Sequence, residues 1–279
     1  IIVLSPARAE CKAAEPPPGP APITRTSQLA MPPRRGGGTS MSRRRTSIHE
    51  QSRPGTNMAW RNMTRWLAHL DKKGELLRII EPVDVELEAG AIADRLVKSG
   101  GKAVLFENPR LPNGEISEIP LAMNLFGSHD RTLRALGASH PTEVGDRLVA
   151  LMKPDIGGIV KRPWTGLPLL RDAISMPPKK VWKGSCQRVK MDLDVTKLPI
   201  PKTWPMDGGR YITLPLVVTK DPSSGEHNLG MYRGQIFGPK EVGLHWQIHK
   251  HGADHAAAWP DGKMPVAICI GGPPELIFS

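Results

Sequence analysis

The sequence predicts an α/β domain over 58–174 followed by a β-rich domain, barrel or sandwich, over 175–279. Three observations carry that expectation. Helical and extended patterns alternate from Met58 to about position 170. Short extended runs separated by turn chemistry dominate afterwards. Residues 1–57 show neither pattern. Their stretch "AEPPPGPAPITRTSQLAMPPRRGGGTSMSRRRTSIHEQSRPGTN" is rich in Pro, Gly, Ser and Arg and has no apolar period. Such a segment cannot bury enough surface to offset the entropy of ordering, so 1–57 is expected to be a disordered basic leader. Its two readings are a non-native extension, with Met58 as the natural start, and a targeting or nucleic-acid arm; the first is preferred.

The elements follow in order. Met63, Trp66, Leu67 and Leu70 recur at helical spacing, and "KKGELLRI" ends that helix at Gly74 and opens an extended piece. Ala89–Val97 reads as a second helix stopped by "SGG", and "KAVLFEN" as a buried strand. "IPLAMNLFG" is a further strand. Helices are expected at about 129–137 and at 142–152, the latter with Thr142 as cap and Glu143 in its first turn. Beyond "SMPPKKVWKGSC" the extended runs are "CQRVKMDL", "RYITLPLVVTKD", "NLGMYRGQIF", "VGLHWQIHK" and "PVAICIGG". Turn residues in "IPKTWPMDGG", "DPSSGEH" and "FGPKE" separate them. The β-rich domain is expected to be incomplete, since the sequence ends at "GGPPELIFS" just after a strand and in a helix start.

Composition narrows the function. The formal charge of +11 divides into +6 over residues 1–57 and +5 over 58–279, so the basic excess belongs largely to the leader. The rest is mildly basic, which suits acidic small molecules. Cys11, Cys186 and Cys269 lie far apart without a CxxC, which predicts a reduced, cytoplasmic compartment. No run approaches 18 apolar residues, so no stretch reads as a membrane span. There is no GxGxxG after a strand, no Walker A, no GxSxG and no HExxH.

The chemistry gathers in "HNLGMYRGQIFGPKEVGLHWQIHKHGA", read as a strand, a turn and a second strand. Arg233 lies between a Tyr and a Gly; pointing inward it must meet an anion, and guanidinium suits a bidentate carboxylate or phosphate. The alternative is an edge-strand arginine in solvent. His245, Gln247 and His249 share one face of an extended segment, with Trp246 and Ile248 on the other. A metal or phosphate neighbour explains two imidazoles and an amide there, and so does a solvated edge. With Asn and a carboxylate the donor set favours Mn²⁺ or Mg²⁺ over zinc. Asn228 belongs to turn composition, and its five-residue separation from Arg233 puts the two on opposite faces unless Gly230 or Gly234 allows a bulge.

The stretch "DLDVTKLPIPKTWPMDGGRYITLPLVVTKDPSSGEHNLGMYRGQIFGPKEVGLHWQIHKHGADH" strongly resembles the UbiD family of decarboxylases, those similar to 3-octaprenyl-4-hydroxybenzoate carboxy-lyase. "MAWRNMTRWLAHLDKKGELLRI" resembles that family's N-terminus, and the resemblance covers about 58–279. It implies an α/β N-terminal domain, then a split β-barrel of FMN-binding type that is truncated here, with a C-terminal oligomerisation domain absent. It also implies reversible, non-oxidative decarboxylation of an aromatic or α,β-unsaturated acid, with a role in ubiquinone or other quinone biosynthesis. The implied cofactor is prenylated FMN, supplied by a flavin prenyltransferase and held with Mn²⁺ and K⁺. By position, Asn228 and His245 take the places of metal ligands. Met231, Tyr232 and Arg233 are implied as a cofactor-binding strand with His245, Trp246 and Gln247 as its partner. Lys250 and His251 fall at the flavin phosphate, His251 replacing the family's usual Gly. Arg233 is the implied catalytic residue, holding the substrate carboxylate.

A metal-binding Glu and the acids that pair with the Arg and deliver the proton lie beyond Ser279 in the family, so the 279-residue chain is expected to be inactive alone. The expected full-length form is a cytoplasmic homo-oligomer, at most peripheral to a membrane, acting on a small carboxylic acid and not on nucleic acid. The rival readings are an oxidoreductase using ordinary FMN, a nucleic-acid binder using the leader, and a non-catalytic truncated subunit.

Overall fold

The computed structural model of the protein describes Trp60 and residues 62–153, 181–182, 184–260 and 262–278, with the single positions 164, 167, 170 and 174. The leader 1–57 lies outside the described residues. Helix α1, Met63–Lys72, starts where the Asn62 side chain accepts the Arg65 N–H (3.0 Å) and buries Trp66 and Leu70. It stops at Gly74, whose φ of +68° is the left-handed turn that ends helices. Strand β1 (Leu76–Ile79) lies parallel to β3 (Ala103–Phe106), and β3 pairs antiparallel with β5 (Leu121–Met123). Helix α2 (Glu88–Lys98) makes the crossover between the parallel strands, and β2 (Val83–Asp84) with β4 (Pro109–Arg110) forms a short second parallel ladder.

All four residues of β3 are buried, and their alternation splits them between two cores. Ala103 and Leu105 join Trp66, Leu70, Leu76, Leu125 and Ala135 on one side. Val104 and Phe106 join Val83 and Ala89 under α2 on the other. A strand covered on both faces reads as a continuous apolar run, which is how "AVLF" reads. Helix α3 (His129–Ala135) is capped by Ser128, and α4 (Pro141–Met152) begins at His140. Thr142 is therefore not the cap of α4. Pro141 occupies the first helical position, where its fixed φ and missing N–H are tolerated, and His140 Nδ1 accepts the Thr142 N–H instead.

In the β-rich part the strands are β6 (Tyr211–Ile212), β7 (Leu216–Lys220), β8 (His227–Met231), β9 (Gly234–Gly238), β10 (Glu241–Leu244) and β11 (Ala267–Cys269). Helices α5 (His251–Ala258) and α6 (Pro274–Ile277) complete it. Among the described residues these strands make two three-stranded antiparallel sheets, β10-β9-β6 and β11-β7-β8, and no closed barrel. Val217, Tyr232 and Ile268 form the buried core there, with Val242, Leu244 and Trp246 packed against it. This part is tied to the first by reciprocal backbone bonds: Leu87 N–H donates to Lys202 O (2.8 Å), and Lys202 N–H to Val85 O (3.1 Å).

Two expected strands differ. "CQRVKMDL" is a 3₁₀ turn at Ser185–Gln187 and then irregular; among the described residues its alternation meets no partner strand, and Val189 (80%) and Met191 (77%) stay exposed. "VGLHWQIHK" is extended only to Leu244, so the shared face of His245, Gln247 and His249 does not form. A turn and then α5 follow, and the Ala-rich run 253–258 continues that helix. Among the described residues no helix is long and apolar enough to cross a membrane.

Candidate functional site

The site is built where the chain changes sheets. Strand β8 belongs to one sheet and β9 to the other, and the only residues between them are Tyr232 and Arg233. A regular strand would have sent Asn228 and Arg233 to opposite faces. The two do lie apart here: Asn228 meets Tyr232 on the inner side, and Arg233 is exposed. Tyr232 turns into the core at 4% exposure, while Arg233 stays exposed.

Tyr232 is the hub of the inner layer. Its ring meets Trp246 edge to face at 4.8 Å between centroids. Its Oη accepts the Gly252 N–H at the start of α5 (2.9 Å) and an Asn228 Nδ2–H (3.4 Å). Both neighbouring glycines are close fits. A Cβ on Gly230 would lie 2.6 Å from Tyr232 Cε2, and one on Gly252 would lie 2.7 Å from Tyr232 Cζ and Oη. Next to this layer, Thr219 Oγ1 and His255 Nδ1 are hydrogen-bonded at 3.0 Å, both side chains buried, and hold α5 to β7.

The outer layer holds Arg233. Its guanidinium carbon lies 4.5 Å from the centroid of the Tyr211 ring. Tyr211 Oη donates to Gln235 Oε1 (2.9 Å), and Gln235 Nε2 donates to Gly208 O (2.9 Å). Beneath β6, Arg210 is buried and its guanidinium donates to Thr196 O (3.2 Å) and Leu198 O (3.4 Å). Burial lowers the Arg210 pKa, with Glu86 and Asp194 opposing. The end of β10 lies alongside, where His245 N–H donates to Arg233 O (3.4 Å).

The expected residues therefore divide. Tyr232, Arg233, His245 and Trp246 are linked directly, Asn228 joins them through Tyr232, and Met231 ends β8 beside them, 43% exposed. Gln247 and His251 are exposed, Gln247 in the turn before α5 and His251 as the helix's first residue; Lys250 is its cap. Arg233, His245, Lys250 and His251 are a donor set that suits an anionic tail such as a flavin phosphate. For a metal the fit is poorer. Asn228 Oδ1 accepts no hydrogen bond among the described residues and is a possible oxygen ligand. Among the described residues no three or more His, Cys, Asp or Glu gather as a metal centre. Sequence reasoning did not single out Tyr211, Gln235, Arg210, Gly252 or His255. Tyr211 and Gln235 had a signal, as the polar members of two extended runs, but nothing in it said that they pair.

Two family models match this chain. The 3-octaprenyl-4-hydroxybenzoate carboxy-lyase N-terminal domain matches residues 67–152, and the Rift-related domain of the same family matches 179–279. An uncharacterised protein of Archaeoglobus fulgidus is 41% identical over 225 residues, which is 80% of this chain and 45% of that one. The chain thus spans about half the length of the curated relatives it matches. Among solved structures, the vanillic acid decarboxylase of Sedimentibacter hydroxybenzoicus is similar with a TM-score of 0.61 at 25% identity, over 78% of this chain and 44% of that one. The UbiD-class enzyme HmfF of Pelotomaculum thermopropionicum in complex with FMN has a TM-score of 0.60 at 23% identity, over 76% of this chain and 43% of that one. An evolved dimeric form of HmfF in complex with prFMN has a TM-score of 0.58 at 22% identity, over 77% and 45%. With both domain models matched in order along it, the chain belongs to the UbiD family.

Proposed function

We propose that this protein takes part in the reversible, non-oxidative decarboxylation of an aromatic or α,β-unsaturated carboxylic acid with prenylated FMN. The family's carboxy-lyase name and the similarity to a vanillic acid decarboxylase support the reaction class. The flavins in complex with HmfF support the cofactor. The observation that carries the reading on this chain is Arg233, an exposed guanidinium at the sheet switch, 4.5 Å from the centroid of an aromatic ring and in no ion pair among the described residues. Such a group is ready to take a carboxylate in bidentate fashion.

In this reading Arg233 fixes the acid, which is the part of the reaction that positioning helps most. Lys250 and His251, at the start of α5, and His245, beside Arg233, hold the anionic tail of the flavin. Tyr232 and Trp246 keep those elements together. The bound flavin supplies the electron sink for the pair left behind by CO₂. The two antiparallel sheets would then be parts of a split β-barrel of FMN-binding type, following the domains 58–174 and 175–279. Mn²⁺ and K⁺, if used, need ligands beyond Asn228 and His245. A flavin prenyltransferase would supply the cofactor, and the working form would be a cytoplasmic homo-oligomer.

The test is CO₂ release from a panel of aromatic acids by the complete protein, made with a source of prenylated FMN. Arg233→Ala is expected to lower turnover by at least about a hundredfold. Undiminished turnover in that variant overturns the role of Arg233, and no release from any acid overturns the activity.

A further inference from the structure

We propose that Tyr211 is the positioning residue that presents Arg233 to its carboxylate ligand, by holding the guanidinium against its ring. This rests on the reading that Arg233 binds the acid. A long exposed side chain leaving a sheet switch would otherwise sample many rotamers, and ordering it on binding would cost affinity.

The geometry removes that cost in a particular way. The guanidinium carbon lies 4.5 Å from the centroid of the Tyr211 ring, a cation–π contact that restrains the side chain. A guanidinium carries five N–H donors, and a carboxylate takes two of them at a time. An ion pair with one of the chain's own carboxylates would compete for the same donors. Among the described residues Arg233 makes none.

The ring is itself held from behind. Tyr211 pairs across the ladder with Gln235, its Oη donates to Gln235 Oε1, and Gln235 Nε2 donates to Gly208 O. Gly208 permits this approach, since a Cβ there would lie 3.0 Å from Gln235 Nε2. The chain of contacts thus runs Gly208, Gln235, Tyr211, Arg233, and it ends on an unclaimed set of donors.

The experiment titrates the 279-residue chain with benzoate, followed by NMR, in the wild type and in Arg233→Ala, Tyr211→Leu and Tyr211→Phe. Tyr211→Leu is expected to weaken benzoate about two- to fivefold, the range a solvent-exposed cation–π contact implies. Tyr211→Phe keeps the ring but loses the bond to Gln235, so its affinity is expected to fall between those of Tyr211→Leu and the wild type. If Arg233→Ala loses binding while Tyr211→Leu matches the wild type, the positioning role is wrong and the carboxylate reading stands. If Arg233→Ala binds as the wild type does, or the wild type does not bind, the carboxylate reading itself fails. Should Tyr211→Leu not fold, the Arg233 Nε–H resonance of the wild type decides. A ring-current shift upfield of its unfolded-chain position supports the stack, and the unfolded-chain position overturns it.

Discussion

Gly252→Ala puts the inner layer of the site to a test whose sign is diagnostic. Gly252 is the second residue of α5, and it has no positive φ that only glycine favours. Helix propensity alone therefore predicts that alanine stabilises, by about 0.5–1 kcal/mol. Packing predicts the opposite. The new methyl would sit 2.7 Å from Tyr232 Cζ and Oη and 2.8 Å from Trp246 Cζ3, where real side chains do not approach. Tyr232 has little room to retreat, because it is buried and the Gly230 backbone also lies close to its ring. Overpacking of this kind costs about 1–3 kcal/mol, which less the propensity gain leaves a net loss centred on about 1 kcal/mol. For a domain of this size that lowers Tm by roughly 2–4 °C. Thermal unfolding followed by near-ultraviolet circular dichroism measures both the loss and the disturbed Tyr232–Trp246 pair. A variant as stable as the wild type, or more stable, refutes the claim that α5 is docked on Tyr232.

Two further outcomes follow from polar groups near the site. The Asp221 carboxylate accepts the Ser223 hydroxyl (2.6 Å) and the Ser223 and Ser224 N–H groups (2.7 and 2.9 Å), which hold its pKa at about 2, chiefly through the hydroxyl. A carboxyl depressed on folding stabilises above its unfolded pKa of about 4 and loses that contribution as pH falls towards 2. Asp221→Asn should thus be less stable than the wild type at pH 7, with the gap closing between about pH 4 and 2 in urea titrations; a pH-independent gap contradicts this. Thr219→Val leaves His255 Nδ1 buried without its partner and should cost about 1–3 kcal/mol in chemical denaturation, with Thr219→Ser restoring most of it. An unchanged midpoint in the valine variant would mean that the buried pair holds nothing.

The α/β part of the fold was legible because its signals are local and agree. Gly74 and Gly100 stop helices with positive φ, and the run at 103–106 is apolar throughout because both faces of β3 are covered. The failures occur where a local pattern lacks its tertiary counterpart. Val189 and Met191 alternate as in a strand, yet among the described residues no strand pairs with them, and alternation without a ladder partner stabilises nothing. The opposite error befell α5. "HWQIHK" suggested that the strand continued, and the helix that follows is anchored by contacts far apart in sequence, the Gly252 N–H donating to the Tyr232 hydroxyl twenty residues away and His255 bonding to Thr219.

The site divides along the same line. Side-chain chemistry is a property of one residue, so Arg233, His245 and Lys250 could be singled out by type. Orientation is a property of the pairing. The five-residue separation of Asn228 and Arg233 predicts opposite sides, and the structure keeps them there: Asn228 meets Tyr232 inside, while Arg233 is exposed at the junction between β8 and β9, which belong to different sheets. That divergence is what lets a single dipeptide serve both layers: Tyr232 locks Asn228 and α5 together while Arg233 is left outside on Tyr211. A bulge within one continuous sheet would have turned one side chain. A switch between sheets instead fixes the inner ring by packing and leaves the outer cation to be set by an aromatic neighbour, so stability and ligand binding can be perturbed separately at adjacent positions.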